Sequence, residues 1–244
     1  MKSDINIVIP MAGLGSRFPR DRYAHKPLID INGKPMIVRA LESLKLKGNF
    51  HFVIRKDENT EQVKDVIVGA VGPSTFIEID KTTEGPACSV LLFQDYINND
   101  DELIVANCDQ IMEWDSKIFL QVARNYPGCV VTYYSTTDKN SYIKIDQNGV
   151  GTELREKVVI SNIGLNGIHY WRKGKYFVHS AQMMIAANDR APNGEFYIAP
   201  TYNYMIRYGH AVGIYHIPNE QHHAVGDPGD LDKYLNLVES RRAG

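Results

Sequence analysis

Cysteine is scarce in this chain. Three occur in 244 residues, Cys88, Cys108 and Cys129, far apart and with no CxxC pair, which excludes a disulfide framework and a structural zinc clip. A reducing, cytoplasmic setting is expected. Charge of one sign is also lacking: the net charge of −2 provides no general field for nucleic acid, so any polyanion must be held by a local cluster of basic groups. No apolar run is long enough to span a bilayer, and MKSDINIVIP lacks the layout of a signal peptide, so no membrane partner is expected. Repeats, low-complexity tracts and linkers are absent too. One domain over residues 1–244 is the economical expectation, with a nucleotide-binding half to about 135 and an acceptor-binding half from about 136.

What the chain does have is a rhythm. Apolar runs at Ile5–Ile9, Phe50–Ile54, Phe76–Ile79, Leu103–Ala106 and Val130–Tyr134 alternate with helical patterns near Met36–Leu46, Thr60–Gly69, Pro86–Ile97 and Ser116–Asn125. That alternation predicts an α/β fold, a mainly parallel sheet with helices on both faces. Ligands of such sheets bind at the carboxyl ends of the strands, after Ile9, Ile79 and Ala106. The second half is less regular. Strands are expected at Tyr142–Ile145, Val150–Leu154, Ile163–Tyr170 and Ala211–Ile217, with an Asn148-Gly149 hairpin turn between the first two. Helices are expected at Lys175–Ala187, Thr201–Tyr208 and Gly229–Arg241.

The first strand breaks into a loop, Ala12-Gly13-Leu14-Gly15-Ser16-Arg17, and Lys26-Pro27 follows. Glycine has no Cβ to block a tight turn or a close backbone approach, so this loop can turn its N–H groups toward a phosphate chain. Arg17 and Lys26 add a planar fork and a compact cation within reach of the same polyanion. The dinucleotide fingerprint would need glycine where Phe18 stands, and a P-loop would need Gly-Lys-Ser/Thr at its end. Asp109, in Ala106-Asn107-Cys108-Asp109-Gln110, follows an apolar strand and is placed either to cap a turn or to bind Mg²⁺ facing those phosphates.

MAGLGSRF, HKPL and GKPMI together resemble the N-terminal signature of the nucleotidylyltransferases that join a nucleoside triphosphate to a sugar 1-phosphate. His25 stands where that family has proline, and the spacer before Lys26 is short. The resemblance implies a Rossmann-like nucleotide-diphospho-sugar transferase fold without an added β-helix, catalytic roles for Arg17 and Lys26, nucleotide contacts from residues 12–16 and Asn107, and Mg²⁺ on Asp109. It further implies that the Thr83-Glu84-Gly85-Pro86 loop reads the base, with Gly85 and Glu84 as contacts. On the residues alone, Thr83 as an N-cap and Pro86 as a helix opener explain the same loop.

For the acceptor, the resemblance carries over to Glu156 and Lys157, to Asn166 and Gly167 in a strand, and to Glu195 and Tyr197. Near the end, Ala224 occupies the position where many members carry a second metal-binding aspartate, which leaves Asp227 as the substitute ligand. The implied partners are a nucleoside triphosphate and a sugar 1-phosphate, in enzymes that commonly feed surface-polysaccharide synthesis. The alternatives are a cytidylyltransferase acting on another phosphate monoester such as phosphocholine, a glycosyltransferase, and a non-catalytic nucleotide-binding module. Fourteen tyrosines suit a sugar-lined pocket and a homo-oligomer interface equally.

Overall fold

Val8, Ile7 and Ile9 are wholly buried, and their β-branched side chains suit a strand covered on both faces. They form β1 (Ile5–Pro10), which lies between two parallel neighbours, β2 (Asn49–Arg55) and β4 (Glu102–Ala106). β3 (Thr75–Ile79) extends the parallel run beyond β2. A computed structural model describes residues 5–19 and 21–243 of the chain. Among the described residues nine strands form one sheet, whose continuous order is β10 (Val212–His216), β6 (Gly128–Tyr134), β9 (Ile163–Trp171), β4, β1, β2 and β3.

The sheet is mixed because of its second half. β9 (Ile163–Trp171) enters between β4 and β6 (Gly128–Tyr134) and runs antiparallel to both. β10 (Val212–His216) is parallel to β6. The hairpin of β7 (Ser141–Ile145) and β8 (Gly151–Glu156) turns at Gly149, whose φ of +76° favours glycine. The strand expected to stop at Leu154 runs on through Glu156.

Helices cover both faces. α1 (Met36–Leu44), α2 (Thr60–Val71) and α5 (Ser116–Ala123) bury Ile37, Leu41, Ile67 and Phe119 on one side. On the other lie α3 (Pro86–Leu91), α4 (Gln94–Ile97), α6 (Gly174–Ala186) and α7 (Thr201–Arg207), around Phe93, Phe177 and Trp171. Trp171 stacks on Tyr202 at 4.7 Å. Truncating either ring to alanine would cost about 3–5 kcal/mol, which makes this seam the anchor of the second half.

Four expectations are corrected. The single helix over Pro86–Ile97 divides at Leu92–Phe93 into α3 and α4. Thr83 is not its N-cap: Gly85 takes that position, while the Thr83 hydroxyl bonds the Gly85 carbonyl at 2.9 Å. α1 stops at Leu44 because Lys45 turns left-handed, at φ +52°. Two short strands were not expected at all. β5 (Gln110–Met112) pairs antiparallel with β11 (His222–Ala224), Gln110 opposite Ala224. Above them α8 (Pro228–Ala243) joins a small core of Phe18, Ile31, Met36, Ile111, Val225 and Leu231, which ties the glycine loop to the chain's last helix.

Candidate functional site

A cleft of about 750 Å³ opens at the carboxyl ends of β1, β2 and β4. Its first wall is the loop Gly13–Phe18. Gly15 has φ +63°, and a Cβ there would lie 3.2 Å from the Cβ of Lys26, so glycine lets the loop pack directly against the lysine stem. Ala12 sits behind the loop in the core rather than on the cleft surface.

Lys26 Nζ lies 2.6 Å from Asp109 Oδ2, and Arg17 Nη2 lies 3.9 Å from the same oxygen. Burial opposes the Lys26 charge, but the Asp109 carboxylate outweighs it and raises the lysine pKa, so Lys26 remains a cation. β5 and β11 fix the carboxylate from the far side. The Asp109 carbonyl accepts from Val225 N at 3.0 Å, and a Cβ on Gly226 would stand 2.7 Å from Asp109 Oδ2. Cys108 is no nucleophile, because burial pushes its thiol up to about 11. His222 also lines the cleft, and burial lowers it to about 4, leaving it uncharged at neutral pH.

Across the cleft stands a second wall. Lys157 ends the β8 segment in a left-handed conformation at φ +55°, and its Nζ donates to the Tyr197 hydroxyl at 2.7 Å. Asn193 Nδ2 donates to the same hydroxyl at 3.1 Å and to Glu195 at 2.9 Å. Glu156 is buried at the end of β8, accepts from Ser141, and has its pKa raised by burial. Asn166 and Gly167 line the floor. The Asn166 amide, however, is engaged internally, accepting from Ile168 N at 3.0 Å and donating to Met112 Sδ at 3.4 Å. Gly167 lies against Asn107, where a Cβ would come within 2.1 Å of the amide nitrogen.

Besides Ala12, three expected residues lie elsewhere. Glu84 pairs with Arg190 at 2.5 Å, outside the cleft lining, because Arg190 is anchored over Phe196 at 4.0 Å. Gly85 packs on the backbone of Phe196, where a Cβ would meet the carbonyl oxygen at 2.4 Å. Only Pro86 of that loop reaches the cleft surface. Asp227 accepts from Asp230 N at 3.0 Å at the start of α8 and meets Lys139 at 3.4 Å, and this amide bond lowers its pKa. Its carboxylate caps a helix rather than joining Asp109. Conversely, the sequence reading passed over Arg55 and Lys139, both of which line the cleft. Arg55 closes β2, so the strand-end rule that singled out Asp109 applies to it as well.

Among the described residues no group of three or more His, Cys, Asp or Glu converges to hold a metal. Asp109 offers one hard oxygen donor, with its side chain 20% exposed beside the glycine loop. That sparse set fits Mg²⁺, which takes one or two carboxylates and fills its shell with phosphate oxygens and water.

Residues 7–163 match the MobA-like NTP transferase domain. The chain belongs to that family. The match spans the glycine loop, Asp109 and Lys157 but ends before Tyr197, and the domain is a nucleotidyltransferase domain. A 3-deoxy-manno-octulosonate cytidylyltransferase from Photorhabdus laumondii is 32% identical over 123 residues, 50% of this chain and 46% of that protein. One from Proteus mirabilis is 30% identical over the same shares. This NTP transferase chain thus spans about half the length of the curated relatives it matches. Among solved structures, a nucleoside-diphosphate-sugar pyrophosphorylase from Vibrio cholerae superposes with a TM-score of 0.81 at 22% identity, covering 94% of this chain and 99% of that one. A Bacillus anthracis protein described as a putative glucose-1-phosphate thymidylyltransferase gives 0.77 at 21%, covering 96% and 94%. These likenesses establish the fold.

Proposed function

We propose that this chain joins a nucleoside triphosphate to a sugar 1-phosphate, releasing pyrophosphate and forming a nucleoside-diphosphate sugar. The observation that carries the reading is a single cleft with the glycine loop, Arg17 and the Lys26–Asp109 pair on one wall and Lys157 with Tyr197 on the other. A phosphate monoester is largely dianionic at neutral pH, its second pKa being about 6, so the nucleophile needs no general base. The barrier is repulsion between two anions, and it falls through alignment and charge neutralisation.

Lys157 would hold the acceptor phosphate, one of whose oxygens attacks the α-phosphorus. The bond from that phosphorus to the bridging oxygen breaks opposite the attack, and pyrophosphate leaves along the loop Gly13–Arg17 with Arg17 and Lys26 against it. Asp109 is the residue that would hold Mg²⁺, which supplies further neutralisation of the triphosphate when bound. No helix among the described residues is long and apolar enough to cross a membrane. The three cysteines are free thiols, which supports a reducing compartment.

A second reading keeps the donor chemistry and changes the acceptor. The curated relatives are named for cytidylyl transfer to 3-deoxy-manno-octulosonate, a sugar acid, and Lys157 can meet a carboxylate as well as a phosphate. That kinship also supports a place in surface-polysaccharide synthesis. The test is pyrophosphate release with Mg²⁺, each common nucleoside triphosphate, and a panel of sugar 1-phosphates, 3-deoxy-manno-octulosonate and phosphocholine. Release with one triphosphate and one sugar 1-phosphate bears the first reading out. Release only with the acid or phosphocholine replaces it.

A further inference from the structure

Arg55 is a cleft residue that the proposed transfer does not use. Along β2, His51, Val53 and Arg55 alternate onto one face. That face is covered by the α3–α4 segment: the His51 ring lies 5.1 Å from Phe93, and Val53 shares a core with it. α3 begins at Pro86, which lines the cleft together with Arg55. The Arg55 Nη1 is shielded from solvent and has no hydrogen-bond partner. The nearby Asp57 carboxylate turns to His25 instead, at 3.6 Å. A shielded donor left unpaired is costly, and a bound acceptor removes that cost.

Topology says which part of a nucleotide lies there. Asp109 follows β4, the glycine loop follows β1, and Arg55 ends β2, in the lateral order β4-β1-β2. A triphosphate held between the loop and Asp109 lies on the β1–β4 side, and the end of β2 is about 10 Å from that of β4 at two strand spacings. The nucleoside therefore extends over β2. Met11 and Pro86 line the same stretch and offer apolar surface to the faces of a flat ring, while Arg55 supplies a cation at its edge.

We infer that Arg55 reads the nucleobase through two adjacent acceptors, O2 and N3 of cytosine or O6 and N7 of guanine, so that CTP or GTP is the nucleotide donor. The inference rests on the nucleotidyl-transfer reading above. A guanidinium has donors only, in a planar fork. Cytosine and guanine present a matching acceptor pair; the acceptors of uracil flank an N–H, and those of adenine adjoin an amino group.

The test is calorimetric titration of the full chain, with Mg²⁺, against CTP, GTP, UTP and ATP, for wild type, Arg55→Gln and Arg55→Lys. Wild type should prefer CTP or GTP. Arg55→Gln should weaken the preferred nucleotide about 5- to 150-fold while leaving UTP and ATP essentially unchanged. Arg55→Lys keeps the charge without the fork and should also lose the discrimination, and it stands in should the glutamine variant fail to fold. Equal weakening of all four would make Arg55 a phosphate contact and overturn the inference. So would a wild-type preference for UTP or ATP, or discrimination that survives both substitutions. Wild type that binds no triphosphate would remove the proposed function itself, and this inference with it.

Discussion

The two walls of the cleft carry cations in different states. Lys26 faces a carboxylate, Asp109, at 2.6 Å, whereas Lys157 faces a neutral phenol, Tyr197, at 2.7 Å. On the first wall half of the charge is already cancelled, and a triphosphate gains Lys26 in full only when another cation takes Asp109. On the second wall the ammonium is held by a phenol rather than by a direct ion pair, with the Glu156 and Glu195 carboxylates acting on it from further off. The first wall is a glycine loop on a strand buried on both faces. The second is Lys157, just past β8, with side chains of residues 193–197 that position one another.

The sharpest way to break this comparison is Arg17→Ala. Arg17 lies 3.9 Å from Asp109 with its side chain 62% exposed, so its ion pair adds little to folding. Loss of a cation that meets the charge of the transferring phosphate group costs about 10³-fold or more in rate. Turnover should fall by that much while the melting temperature barely moves. Near-normal turnover would remove Arg17 from the first wall's work.

Lys157→Ala addresses the second wall and should act on a different parameter. A charge-assisted hydrogen bond contributes about 1.5–3 kcal/mol, or about 10- to 150-fold in affinity. The KM for the acceptor should rise by that factor, with the KM for the triphosphate nearly constant. A rise in both would mean that the walls do not divide the substrates.

Between the walls lies the floor strand β9, where His169 is buried against Trp171 and Tyr202, at 6.0 and 5.8 Å. Burial lowers its pKa from 6.5 to about 3. Because the folded value is depressed, its contribution is fully present above pH 6.5 and is lost as the pH falls toward 3, where the unfolded chain binds the extra proton. At pH 5 the loss is about 2 kcal/mol. In His169→Phe the drop in urea stability from pH 7 to pH 5 should shrink by about that amount, and any packing cost cancels in the difference. An unchanged drop would show that the floor does not titrate in this way.

How much of this was legible follows from the range of each interaction. β1 and its loop announce themselves locally, because a strand buried on both faces reads as a continuous apolar run and Gly-x-Gly-Ser-Arg follows at once. The apolar runs of β2 and β4 are buried in the same way. β5 and β11 could not be read, since three residues are too few to show alternation and the partners are more than a hundred positions apart. Glu84 was misplaced for the same reason: Arg190, which holds it, is 106 residues away. Asp227 looked like a metal ligand by position, yet the chain gives it the first turn of α8 to cap. The Glu156-Lys157 step was found by resemblance. That Glu156 is buried and Lys157 left-handed depends on the β7–β8 hairpin and Asn140, whose carbonyl accepts from Lys157 N at 3.0 Å.

Tyr197→Phe is the smallest change and the finest test of the contrast between the walls. It removes one hydroxyl that receives Lys157 and Asn193 together and leaves the ring, over which Lys157 Nζ lies 4.8 Å from the centroid. If the phenol only positions the ammonium, its loss costs about 0.5–1.5 kcal/mol, a 2- to 12-fold rise in acceptor KM with kcat preserved. The cation–π contact keeps Lys157 near its place. If instead the hydroxyl touches the reacting phosphate, kcat falls and acceptor KM moves little. The first outcome makes the second wall a holder of charge, as its neutral partner implies; the second would give it a share in the chemistry that the comparison reserves for Arg17 and Lys26.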